Sequence, residues 1–269
     1  MSVVKRVLVL HGYSQNANIL SKRLGALRKE SKDIDYVFIN APHVLQPADL
    51  FSSPQSLDSE APASVAETQS NPETALRGWW TANRDKDKTV MSGLRESILL
   101  VRDVLKEQRF DGVFGFSQGA AFAGLLAALL ERPHLYPDFL INGKAPHPPF
   151  QFCVAVSGFR VKDPSINHVF EPSYSTPTLH VLGKTDVVVV EERSRQLIEV
   201  SANARVEEHE GVSVASGHFV PSKGNWRKFM VNYMKDPSAP HPSPSGASLP
   251  PSGPPSGTST PAIGAESRL

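Results

Sequence analysis

Apolar positions along this chain fall into two periods. Short runs rich in β-branched and aliphatic residues occur at Lys5–Leu10, Tyr36–Ile39, Phe110–Phe116, Phe152–Ser157 and Thr178–Leu182, and they read as buried strands. Arg205–Glu208 reads as a short edge strand. Between these runs the spacing turns helical. Ile19, Leu20, Leu24 and Leu27 predict a helix over Asn18–Lys29, and Leu94, Ile98, Val101, Val104 and Leu105 predict one over Ser92–Glu107 with a polar outer face. Gln118–Glu131 is apolar nearly all round, which predicts a buried helix. Val190–Ser201 and Pro221–Met234 complete the set. Strands alternating with helices predict an α/β fold: a mostly parallel, doubly wound sheet with helices on both faces. Ligands on such sheets bind at the carboxyl ends of the strands.

Composition sets the boundaries. From Asp236 to Leu269, nine Pro, eight Ser and four Gly make 21 of 34 residues. Too little apolar surface is available there to offset the entropy of ordering, so the expectation is one domain over 1–235 and a disordered tail over 236–269. The tail's prolines make it a candidate ligand for a partner protein. Ser52–Ala75 is polar and reads as a long loop, and the proline-rich Arg132–Phe150 reads as a connection.

Charge and cysteine content exclude several classes. Lys and Arg number 28 against 27 Asp and Glu, a balance that offers no field for nucleic acid. One cysteine, Cys153, cannot close an internal disulfide, so a reducing, cytoplasmic compartment fits; in mid-strand it reads as a buried, inert thiol. The longest near-apolar run, Gly119–Leu130, has twelve residues, short of the roughly 20 needed to cross a bilayer. The four apolar residues Val7–Leu10 are too few for a signal-peptide core. No metal-ligand spacing or phosphate-binding glycine motif is present, so neither a metal nor a cofactor is expected.

The candidate chemistry centres on Gly115-Phe116-Ser117-Gln118-Gly119, a G-x-S-x-G between a predicted strand and a predicted helix. That setting is the nucleophile elbow of α/β-hydrolases. The turn must be sharp to hold a serine Oγ clear of the sheet, and the glycines remove Cβ atoms at the close approach. A lone serine is a poor nucleophile and needs a base oriented by an acid. Asp186 follows the strand Thr178–Leu182, 69 residues after Ser117. His218 lies 32 residues further on, before the last helix. Serine, acid and histidine then share one edge of the sheet, in the chain order of this fold. For the oxyanion the expected donors are the backbone N–H groups of Gln118 and Tyr13, the latter beyond the His11-Gly12 strand exit. His11, Trp79, Trp80 and Phe219 are candidates to line an acyl pocket, and His43 a further one; His180 in mid-strand and His209 beside two glutamates are weaker bases.

These segments carry a resemblance. Leu8–Asn16 (LVLHGYSQN), Asn40-Ala41-Pro42, Arg77–Trp80 (RGWW), Gly112–Ala120 (GVFGFSQGA), Val156–Phe159 (VSGF) and Gly217-His218 are similar to the fungal serine hydrolase (FSH) family of the α/β-hydrolase superfamily, in order and over about residues 1–235. The resemblance implies an α/β-hydrolase lacking the first antiparallel strands, with Ser117, His218 and Asp186 as its triad and carboxylesterase activity on acyl esters. Some fungal relatives act as thioesterases. The rival expectations are an acyl-protein thioesterase and a noncatalytic hydrolase-fold binder recruited through the proline-rich tail.

Overall fold

The computed structural model describes residues 4–46, 74–82, 90–211 and 217–246. Strands β1 (Lys5–Leu10), β2 (Ile34–Ile39), β7 (Gly112–Phe116), β8 (Phe152–Val156), β9 (Thr178–Gly183) and β10 (Ala204–His209) form a six-stranded sheet in the order β10-β9-β8-β7-β1-β2. Every neighbouring pair in it is parallel. Two short antiparallel pairs, β3 (His43–Val44) with β4 (Arg77–Gly78) and β5 (Thr81–Ala82) with β6 (Met91–Ser92), lie outside this sheet.

The helices are α1 (Ala17–Arg23), α2 (Gly25–Glu30), α3 (Leu94–Glu107), α4 (Gln118–Glu131), α5 (Glu191–Ile198) and α6 (Gly224–Lys235). Successive strand residues point to opposite faces. Leu8, Leu10, Val113, Cys153 and Ala155 pack with α3 and α4, while Val7, Val9, Phe114, Phe116, Val154 and Val181 pack with α1, α2 and α6. Helix α4, expected to be apolar all round, is buried from Gln118 to Leu130. Cys153 is a buried free thiol whose pKa burial pushes up to about 12.

Three expectations are corrected. The single helix expected over 18–29 is two, divided at Leu24, whose ψ of 8° leaves the helical range. The last helix begins at Gly224, not Pro221: Lys223 is its extended N-cap. Residues 237–246, expected to begin a disordered tail, are laid against β10 and α6. Arg205 donates to the His241 carbonyl, Ser243 to Glu207, Ser245 to the Glu208 carbonyl and Asn225 to the Pro244 carbonyl. The His241 ring packs on Phe229 and Tyr233. Polar bonds to an edge strand hold this segment, which is why apolar content did not reveal it. The remainder of the tail call, 247–269, and the Ser52–Ala75 stretch up to residue 73 lie outside the described residues.

Candidate active site

Strand ends β7, β9 and β10 converge on one edge of the sheet. Ser117 follows β7 directly and caps α4 with φ 53° and ψ −119°, a strained left-handed conformation for a non-glycine residue. Only bare backbone fits around it. A Cβ on Gly115 would lie 2.3 Å from the Gly119 carbonyl oxygen, and one on Gly119 would lie 2.2 Å from the Leu10 carbonyl oxygen. Both distances are far below contact, so the elbow requires its two glycines.

Ser117 Oγ lies 3.0 Å from His218 Nε2, and His218 Nδ1 lies 2.7 Å from Asp186 Oδ2. A carboxylate only accepts, so Nδ1 carries the proton and Nε2 is free to accept from the serine hydroxyl. Asp186 is fixed in turn. Its Oδ1 accepts the N–H groups of Val188 and Val189 at 2.9 and 2.8 Å. Burial alone would raise the Asp186 pKa; the hydrogen bond and charge of His218 and the Val189 N–H are the main groups that outweigh it and hold the carboxyl below its ordinary value. The ring of His218 rests on Phe116, centroids 5.0 Å apart. The loops bearing acid and base touch through glycines: a Cβ on Gly217 would meet the Asp186 nitrogen at 2.3 Å.

Gln118 opens α4, where the N–H groups of the first turn have no intrahelical carbonyl to reach. The loop after β1 passes the elbow, since a Cβ on Gly12 would lie 3.3 Å from the Ser117 Cβ. The Tyr13 side chain packs away from it, against Leu45 and Leu76.

Of the four pocket candidates, His11, Trp79 and Trp80 are buried and engaged in packing or backbone contacts. His11 is fully buried; its Nδ1 donates to the Gly12 carbonyl and its Nε2 accepts from Ala41 N–H. Burial lowers its pKa to about 4, so it is a neutral strut between the ends of β1 and β2. Trp79 is also fully buried, its indole donating to the His11 carbonyl and its ring packed on Phe122. Trp80 packs edge-on against Phe122 and Phe159. Phe219 borders a cavity of about 580 Å³, with His209, Trp226 and Lys184 on its walls. His43 is bonded to the Gly93 carbonyl, and His180 is a buried residue of β9 whose pKa burial lowers to about 3. His209 packs on Phe219 and Trp226.

One residue was underread. The side chain of Gln118 accepts from the Trp79 N–H and donates to the Trp80 carbonyl, pinning the Arg77–Trp80 segment to the elbow. Its amide resembles a peptide group in reach, and the adjacent indoles were the only sequence signal that this segment approaches the site.

The serine hydrolase (FSH1) family profile matches residues 1–230. The chain belongs to this family. Membership makes it a hydrolase, and its six parallel strands with flanking helices are an α/β-hydrolase fold. It is 36% identical to Esterase OVCA2 of Danio rerio, over 87% of this chain and 98% of that protein. Among solved structures it is similar in fold to esterase PE8, with TM-score 0.55 and 20% identity over 87% of this chain and 93% of that one. Zea mays acyl-protein thioesterase 2 is similar with TM-score 0.51 and 19% identity, over 87% and 95%. Among the described residues, no helix is long and apolar enough to cross a membrane.

Proposed function

We propose that this hydrolase cleaves carboxylic esters of apolar acyl chains through an acyl-enzyme on Ser117. The observation that carries this reading is the continuous chain Ser117–His218–Asp186, with contacts of 3.0 and 2.7 Å. His218 Nε2 takes the hydroxyl proton as Ser117 Oγ attacks the carbonyl carbon. Asp186 keeps the imidazole in the competent tautomer and stabilises the imidazolium without itself taking the proton. The N–H groups of Gln118 and Tyr13 receive the oxyanion. His218 then protonates the departing alcohol, and water repeats the sequence to release the acid. The esterase activity named for the Danio rerio relative supports an ester as substrate. Support for an apolar acyl chain comes from Val187 and Val190, exposed beside Asp186, and from Phe219 beside His218. The buried Trp79 gives none. A reducing, cytoplasmic setting for the enzyme rests on the lone thiol of Cys153.

Fluorophosphonate labelling read by intact mass tests the core of this reading. One adduct on the native chain and none on Ser117→Ala is the expected result; an unlabelled native chain overturns it. Ester and thioester series of increasing acyl length then test the substrate. Rising kcat/KM with ester chain length is expected, a flat profile removes the apolar preference, and faster turnover of thioesters replaces ester with thioester.

A further inference from the structure

Ser117 has a counterpart one strand over. Ser157 follows β8 as Ser117 follows β7, with φ 50° against 53°. Each donates its N–H to the next strand, Ser117 to Val156 and Ser157 to Val181, both at 2.8 Å. Ser157 therefore stands between the nucleophile strand and the loop that bears Asp186. It is 99% buried by its 1% exposure, and its Oγ has no hydrogen-bond partner in this geometry. A buried hydroxyl left unbonded is costly, and such groups recur where function retains them.

The partner on offer is Asp186. Its Oδ1 already accepts two backbone N–H groups, whereas Oδ2 accepts from His218 Nδ1 and has capacity for a second donor. Ser157 and Asp186 share the wall of a cavity of about 230 Å³, which gives the hydroxyl room to turn. Resting on the reading that Ser117 is the nucleophile, we propose that Ser157 is a positioning residue: its hydroxyl donates to Asp186 Oδ2 and holds the carboxylate against His218 as the imidazolium forms. The effect of Ser157 on Asp186 has the matching sign, favouring the ionised carboxyl. The other charged and titratable groups around Asp186 are Arg193 from α5, His209 from β10 and His218, with Lys184, Glu191 and Glu208 across the cavity. His209 Nε2 is likewise buried without a bond, but its ring is held edge-on against Phe219 and Trp226 and makes no hydrogen bond to Asp186.

The test compares the full-length native chain with Ser157→Ala and Ser157→Gly. Both variants remove the hydroxyl, and glycine also relieves the left-handed backbone. The expected result is kcat/KM for a p-nitrophenyl acyl ester about tenfold lower in both, the scale of one hydrogen bond to a charged group. The acid limb of the pH profile should move to higher pH, because Asp186 loses a group that favours its ionised form. Melting temperature should fall by at most a few degrees in Ser157→Ala, the scale of one hydrogen bond lost from a folded domain. Native kcat/KM with an unmoved acid limb overturns the proposal. So does a loss in Ser157→Ala that Ser157→Gly restores, which would assign the position to backbone conformation. Labelling of Ser117→Ala by the fluorophosphonate would instead overturn the nucleophile assignment, and the two failures are read separately.

Discussion

At the residue scale, the site depends on which protons the side chains hold. Asp186 matters because its carboxylate can only accept, which forces the His218 tautomer. Asp186→Asn offers an amide N–H instead, and the ring can answer with Nδ1 as acceptor, leaving Nε2 protonated and unable to take the Ser117 proton. The expected outcome is a folded protein with kcat lower by on the order of 10⁴ and fluorophosphonate labelling slowed in parallel. Native turnover in this variant would remove Asp186 from the mechanism. Gln118 makes a different kind of contribution. Gln118→Ala leaves the Trp79 N–H and the Trp80 carbonyl buried without their partner, at a cost of about 1–3 kcal/mol for each group. Urea unfolding should show that loss, and a midpoint within error of native would refute it. That Ser117, Asp186 and His218 meet at one sheet edge, within hydrogen-bond reach of one another, was legible because strand ends can be read from hydrophobic runs. His11 and Trp79 were misread because residue type near a site does not say which way a ring points; here each points into the interior and bonds backbone.

At the element scale, close backbone approach decides what the loops can do. The acid loop and the base loop are pressed together at Gly183 and Gly217, where a Cβ on Gly183 would lie 2.0 Å from the Gly217 carbonyl oxygen. Neither glycine has a left-handed φ, so the requirement is for space and not for conformation. Gly217→Ala must push the His218 loop away from Asp186. We expect kcat to fall at least about 100-fold, since misplacement of about 1 Å carries that cost. Because the loop lies at the sheet edge, far-ultraviolet circular dichroism should stay native. Activity within twofold or so of native would mean that the loop can yield without moving the histidine. Such contacts are invisible in one sequence: a glycine in a loop looks the same whether it turns or merely makes room. The segment 237–246 shows the complementary blind spot, because its prolines and serines signal disorder while its carbonyls and hydroxyls cover an edge strand. A chain ending at Asp236 should be less stable than one ending at Gly246 by about 1–2 kcal/mol, the net worth of a few partly exposed hydrogen bonds. Equal urea midpoints would show that the docked segment contributes nothing to stability.

At the scale of the whole molecule, the fold stores histidines in neutral form. His11 is held to about 4 and His180 to about 3, each chiefly by burial, and burial also lowers His147 and His209. In the unfolded chain such groups titrate near the ordinary value, about 6.5. Between that value and about 4, the unfolded state therefore binds protons that the native state refuses. Stability rises with pH wherever the unfolded state holds more protons, so it must fall as pH is lowered through this window, by up to about 1.4 kcal/mol per pH unit for each such histidine. Asp186 works with the opposite onset: its lowered pKa keeps it ionised through the window, and its contribution is lost only when acid reaches the carboxylate itself. The steep limb between neutrality and pH about 4 thus belongs to the histidines. His180 separates them, because its Nε2 is buried with no hydrogen-bond partner and its ring lies in β9 away from the catalytic contacts. His180→Leu removes both an unbonded polar atom and one titrating site. Its melting temperature at neutral pH should match or exceed that of the native chain, and its decline toward acid should be shallower by the slope of one proton. A variant whose curve runs parallel to the native one would show that His180 titrates alike in both states and that its burial carries no acid sensitivity.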